Sequence, residues 1–230
     1  MRADFCVDIA KTRSLIRRVP QNKLLVLEET HCRTNIVPTH TLVLPGESPE
    51  VEVVDTGKYA HRIDMFACVH ISGVLPAQTY TPPERRQLDV KGLNAAVFSH
   101  YISEVLGPAV SELGQPSYVL VLDKASIHKS HKRIIDAFAR CGVVIERIIQ
   151  YPTASAKRLS PLDNCLFHLW KDKVRGRCPI PENDFPSIMI EDWNSLTPAQ
   201  IKAEYKNCGY YRDRNLYFDC PKPSVHMHEE

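Results

Sequence analysis

Apolar positions along this chain fall into short unbroken runs and longer runs at helical spacing. The short runs are "KLLVLEE" from Lys23, "HTLVLPGES" from His40, "RIDMFACVHISG" from Arg62, "SYVLVLD" from Ser117 and "VVIERII" from Val143. Each has the length and β-branched content of a buried strand, and several end in acids or glycine. The helical runs are Ala3 to Arg18, Asn94 to Leu113, Lys132 to Gly142 and Ser160 to Arg175. In the second of these, Val97, Tyr101, Val105, Val110 and Leu113 share a face, and Gly107-Pro108 predicts a break. In the last, Leu162, Leu166, Leu169 and Trp170 share a face. Residues 47–60 and 76–92 are polar or rich in proline and charge, and read as loops. Residues 186–209 read as one or two short helices, with Thr197-Pro198-Ala199 as a start.

Strands that come first and then alternate with helices predict an α/β fold with a mixed sheet flanked by helices. The expected organisation is a short helix over residues 1–20, a main domain over 21–177 and a helical, irregular C-terminal extension over 178–230. Composition adds little: 43% hydrophobic and 24% charged residues with net charge +2 describe an ordinary globular chain. No run approaches the roughly 20 apolar residues of a membrane span, so no membrane partner is expected. The N-terminus has no apolar signal core, and the eight cysteines form no CxxC pair. An intracellular chain with reduced thiols follows, in the nucleus of a eukaryote or the cytoplasm of a bacterium.

Three acids stand where elements begin or end. Glu28 closes the first strong strand, Asp123 closes the central one, and Asp163 opens the helix after Ser160-Pro161. Strand alternation sends Glu28 and Glu29 to opposite faces, so one of them can face a shared site. Asp64 reads as a surface group or one at the wrong strand end. Carboxylates brought together raise one another's pKa, a conflict that a divalent metal resolves. For Asp163 two readings stand side by side: a charge that favours the helix dipole by about 0.3–1 kcal/mol, or a metal ligand.

The stretches "VLEETHCRTN", "YVLVLDKASIHKS" and "YPTASAKRLSPLDNCLFHLWKDKVR" resemble, in order, three blocks of DDE/D transposases of the mariner superfamily. Glu28 stands at the family's first Asp. Asp123 and His128 match the second block. Leu159, Pro161, Leu162, Asp163, Asn164, Trp170 and Lys171 fill the third. Thirty-nine residues lie between Asp123 and Asp163, a separation similar to the family's. The resemblance covers roughly residues 20–175. It implies a ribonuclease-H-like fold and hydrolysis of DNA phosphodiesters with strand transfer through a 3′-hydroxyl. Glu28, Asp123 and Asp163 would hold two Mg²⁺ or Mn²⁺ ions, with His128 as a further catalytic residue. DNA, as transposon ends or target, and a second copy of the chain are the partners it implies.

The chain departs from the pattern at Glu28, which replaces an Asp, and at Lys124, which replaces an Asn. It has room for about one helix before its first strand, so no end-recognising helix-turn-helix region is expected within it. Two alternatives therefore stay open: a catalytically inactive, transposase-derived DNA- or protein-binding domain, and another nuclease of the same fold. Lys124, Lys129, Lys132, Lys157, Arg158 and Lys171 are the cations expected to contact DNA phosphates. Trp170 and Trp193 read as core. Cys208, Cys220, His226 and His228 are zinc-ligand types, but their spacing is not that of a standard finger.

Overall fold

A computed structural model describes residues 3–35 and 60–211, together with residues 45, 46 and 48. Helix α1 (Ala3–Arg17) leads into β1 (Leu24–Arg33). Strands β2 (Arg62–His70), β3 (Gly73–Val74) and β4 (Gln78–Tyr80) follow, then helix α2 (Pro82–Gln87). Helices α3 (Ala95–Tyr101) and α4 (Gly107–Glu112) precede β5 (Tyr118–Leu122), α5 (His131–Ala139) and β6 (Ile145–Gln150). The described chain ends with α6 (Ala156–Leu159), α7 (Phe167–Gly176), α8 (Phe185–Asn194) and α9 (Pro198–Asn207).

The six strands form one mixed sheet in the order β3-β2-β1-β5-β6, with β4 also paired to β2. Strand β1 runs antiparallel to β2 and parallel to β5, and β5 runs parallel to β6. The expected α/β class, a mixed sheet between helices, is the one observed. Alternation divides the core into two layers. Leu24, Val26, Ala67, Val69, Val119 and Val121 point to one side, where Leu162, Leu166, Trp170, Trp193 and Tyr205 cover them. Leu25, Leu27, Phe66, Cys68, Leu120 and Leu122 point to the other, against Phe98, Tyr101, Leu106 and Phe138. Trp170 and Trp193 are fully buried core residues, as their sequence context predicts. Their indole N–H groups donate to the Met189 and Leu75 carbonyls at 2.8 and 3.0 Å. No helix among the described residues is long and apolar enough to cross a membrane.

Several expectations need correction. The segment 76–92 is not all loop. Gln78–Tyr80 adds β4 to the edge of β2, and Thr81 starts α2 through a capping box with Glu84. The predicted break at Gly107-Pro108 does not occur. Instead the helix widens into a π turn over Ile102–Leu106, where the Gly107 N–H donates to the Ile102 carbonyl, and continues into α4. Such a turn accommodates the amide hydrogen that Pro108 lacks. Asp64 is not a surface group: it is 2% exposed and held by Arg62 and Arg85 at 2.5 and 2.7 Å. The reduced-thiol reading fails at Cys6, which is disulfide-bonded, while six other cysteines among the described residues are in no disulfide. Pairing depends on Cα proximity, which spacing along the chain does not report. The strand expected over "HTLVL" lies outside the described residues, as do Cys220, His226 and His228 of the zinc candidate. The remaining member, Cys208, is a buried thiol raised to about 12 by burial, beside the Asn164 amide at 3.6 Å.

Gly107 is where the helix has least room. A methyl group there would lie 2.6 Å from the Cys141 sulfur and 2.7 Å from the Ile102 carbonyl. Gly107→Ala is expected to destabilise the protein by about 1–3 kcal/mol, read as a lower urea midpoint, because the backbone oxygen cannot move aside cheaply.

Candidate metal centre

The parallel pairing of β1 with β5 places the first two acids. Leu24, Leu25 and Val26 lie opposite Val119, Leu120 and Val121. Carried forward at the same offset, Glu28 reaches the level of Asp123 just past the end of β5. Both follow the alternation of Val26 and Val121, so both belong to the side covered by α7.

The third acid arrives from the chain above that side. Ser160 is extended, as a residue before proline must be, and interrupts the helix begun by α6. Its buried hydroxyl oxygen accepts the Leu162 and Asp163 amides at 3.2 and 3.3 Å. This caps the π turn Leu162–Leu166 that leads into α7. Leu162 and Leu166 anchor the turn in the core, and Asp163 stands on its solvent side at the rim. Ser160 thus both starts the helix and hydrogen-bonds to the Glu28 carboxyl.

The electrostatics are those of crowded carboxylates. Glu28 is 3% exposed, and its Oε1 has no hydrogen-bond partner. Burial pushes its carboxyl well above the usual range, and the charges of Asp163, Asp123 and Glu29 push the same way. Asp163 is also raised, by partial burial and then by Asp123, against the pull of Glu28 and Lys171. Asp123 goes the other way. Burial opposes its charge, but hydrogen bonds from His128 and the Ala125 amide hold it below the usual range.

His128 joins Glu29, the next acid along β1, to Asp123. It is fully buried, with its Nδ1 at 2.7 Å from Asp123 Oδ1 and its Nε2 at 3.2 Å from Glu29 Oε2. The second distance is that of an ion pair without hydrogen-bond alignment: both atoms are buried and lack a hydrogen-bond partner. Burial would push the imidazolium down, but the two carboxylates carry it up to about 9. As a cation it balances both acids. Glu29, Asp123 and His128 each offer a donor atom, and these lie within 4.8 Å of one another; no other such group occurs among the described residues. Glu28, Asp123 and Asp163 interact but do not close that tightly.

Glu28, Asp123, Asp163 and His128 are therefore gathered in one place. Glu28 and Glu29 project from opposite faces of β1, as alternation requires, and the loop after β5 brings His128 to the face of Glu29. The sequence signal was there in the spacing Asp123 to His128, across a short 3-10 turn at Ser126–His128. Of the six candidate cations, Lys124 and Lys129 are exposed on the loop after Asp123, and Lys157 and Arg158 are exposed just before Ser160. Lys171 is half-buried, and its charge reaches both Asp163 and His31. Lys132 points to solvent and pairs with Asp136 at 2.6 Å. A polar cleft of about 290 Å³ opens beside Glu29, lined by His31, Arg62, Arg85 and Lys91.

A raised Glu28 carboxyl has a defined sign in stability. Its contribution is fully present below the unfolded value of about 4.3 and is lost as pH rises through the higher folded value. Glu28→Gln is therefore expected to stabilise the metal-free protein at pH 8, by about 1–3 kcal/mol, and to change little at pH 4. Denaturant unfolding at the two pH values checks this.

No family model matches the sequence, and no curated protein matches it. Solved structures do. The Mos1 mariner paired-end complex with Mn aligns over 91% of this chain and 60% of its own, with TM-score 0.64 and 14% identity. The Mos1 transposase catalytic domain with Raltegravir and Mn aligns over 91% of this chain and 94% of its own, with TM-score 0.59 and 12% identity. A further structure of the catalytic domain of Mos1 mariner transposase is covered to 98%, with TM-score 0.52 and 11% identity. The chain spans 60–65% of the transposase chains in the paired-end complexes with Mn and with the left transposon end. With six strands in this order between two helical layers, the chain has the ribonuclease-H-like fold of the mariner transposase catalytic domain.

Proposed function

We propose that this chain is a transposase-like catalytic domain of the mariner type that cleaves DNA phosphodiester bonds with divalent metal and transfers the resulting 3′-hydroxyl end. One observation carries the reading: the buried Glu28 carboxyl has an unpartnered oxygen and shares its surroundings with Asp163, Asp123 and Glu29. Carboxylates gathered with so few neutralising bonds fit a hard divalent cation. Glu28, Asp123 and Asp163 would hold Mg²⁺ or Mn²⁺, two ions in the full site. Bound there, such ions supply charge that favours deprotonation of the attacking hydroxyl and stabilises the leaving oxygen on phosphorus.

The chain's own groups do the rest. Ser160 orients Glu28 and, through the Asp163 amide, the turn that carries Asp163. His128 holds Asp123 in one orientation through Oδ1. Lys124, Lys129, Lys157 and Arg158 ring the rim with exposed charge that neutralises DNA phosphates, and Lys171 adds charge beside Asp163. Lys132 is the weakest of the proposed DNA contacts because Asp136 already holds it. The partners on this reading are DNA, as transposon ends or target, and a second copy of the chain.

A second reading keeps the fold and DNA binding but not catalysis. The longer Glu28 side chain is sunk in the core while Asp163 stands at the rim, and these two acids do not close on Asp123 within 4.8 Å. Catalytic geometry tolerates displacements of only about 0.5 Å.

Nicking of supercoiled plasmid in Mn²⁺ separates the readings. The catalytic reading expects nicking that Asp123→Ala reduces by at least about 100-fold. Wild-type protein that binds DNA without nicking it, and gains nicking on Glu28→Asp, would establish the second reading.

A further inference from the structure

The two adjacent glutamates in the middle of β1 meet different chemistry. Glu28 faces Ser160 and Asp163, which offer only oxygen. Glu29 faces His128, which offers nitrogen. Asp123 stands between them, acting on Glu28 through its charge and on His128 through a hydrogen bond. The site therefore has two sides with unequal donors around one shared carboxylate.

The nitrogen side has the features of a ligand set. Its three donors lie within 4.8 Å of one another. His128 Nδ1–H donates to Asp123 Oδ1 at 2.7 Å, so Nε2 is the nitrogen that gives up its proton and its lone pair when a cation binds. A carboxylate on one imidazole nitrogen is the usual way a protein orients the other toward a metal. Nε2 belongs to a side chain with no exposed surface, has no hydrogen-bond partner, and points at Glu29 Oε2, which also has none. The Phe98 ring lies 4.7 Å from the imidazole and fixes its plane. The Ala125 amide also ends on Asp123 Oδ1, at 2.8 Å, which fixes the carboxylate that orients the ring.

We propose that Glu29 and His128, with Asp123 orienting the imidazole, form an additional, nitrogen-containing cation position that takes a borderline transition ion in preference to Mg²⁺. The all-oxygen group of Glu28, Asp123 and Asp163 is then the position open to Mg²⁺. The proposal rests on the metal-nuclease reading for the shared Asp123. The chemistry follows from ligand type. Mg²⁺ takes oxygen and keeps its waters, whereas imidazole favours later first-row ions, with Co²⁺ above Mn²⁺. Glu29 and His128 thus become metal ligands, beyond the three acids that the sequence pattern names.

The test is metal binding by the full chain, without DNA or turnover. Calorimetry with Co²⁺ and with Mg²⁺ is run on wild type, His128→Gln, Glu29→Gln, Glu28→Gln and Asp123→Ala. Each variant is first checked for a cooperative thermal transition. Pulsed electron paramagnetic resonance of the Mn²⁺-loaded protein looks for coupling to ¹⁴N. Wild type is expected to bind Co²⁺ at least about tenfold more tightly than Mg²⁺ and to show the nitrogen coupling. His128→Gln is expected to lose that coupling and about 10–100-fold in Co²⁺ affinity, with Mg²⁺ affinity nearly unchanged. Glu29→Gln, whose side chain is 30% exposed and tolerates the change, should weaken Co²⁺ in the same way. Glu28→Gln should weaken Mg²⁺ more than Co²⁺.

Absent nitrogen coupling in wild type, or equal loss of both ions in His128→Gln, would overturn the proposal and leave His128 as a positioning residue for Asp123. In that event, loss of all binding in Asp123→Ala still upholds the metal-nuclease reading. If folded wild type binds neither ion, both fail together.

Discussion

Everything in the site depends on the parallel register between β1 and β5. It sets Val26 beside Val121, and from there the pleat carries Glu28 and Asp123 to the same level and the same side. A slip of one residue would send Glu28 to the Phe98 side and bring Glu29 to the α7 side. Burial guards against that slip, because Leu24, Leu25, Val26 and Leu27 have no exposed surface, and both layers would have to exchange their contents.

The same register imposes an electrostatic debt that the surroundings meet only in part. Asp123 is well provided for, with an imidazole and a backbone amide on one oxygen. Asp64, three strand positions from Ala67, the partner of Glu28, is neutralised by two arginines and serves the sheet edge. Glu28 is not provided for: one hydroxyl faces it, and three acids surround it. Asp64 shows that this chain can pair a buried carboxylate with arginine where structure alone is at stake. The contrast sets Glu28 apart as a buried carboxyl with no arginine or lysine partner among the described residues, which carries a cost in stability.

Helix irregularities serve this arrangement. Ser160 stops one short helix, starts the next segment and bonds to Glu28, and the π turn after it lets Leu162 and Leu166 stay buried while Asp163 reaches the rim. On the opposite layer, the π turn before Gly107 keeps one continuous helix against Phe66, with the helix's own Phe98 ring 5.2 Å from it. That packing also seats the imidazole of His128 against Phe98.

Much of this was legible in the residues. Unbroken apolar runs marked β1, β2, β5 and β6, because burial on both faces leaves an unmistakable pattern, and a strand end marked Asp123; β1 instead runs on to Arg33, so Glu28 lies mid-strand and not at the expected end. The Ser-Pro before Asp163 marked a helix start, because the residue before proline is kept extended. What the sequence could not determine is which groups meet across elements. β4 is three residues long and exists only because the edge of β2 offers it hydrogen bonds. The helix through Gly107-Pro108 continues because the π turn accommodates the amide hydrogen that Pro108 lacks and Leu106 and Val110 are buried in the core, overriding local propensity. Glu29 looked like a solvent acid by alternation alone. Only the tertiary structure brought His128 to its face, because a contact between residues about a hundred positions apart depends on strand register and loop path, which no local pattern encodes.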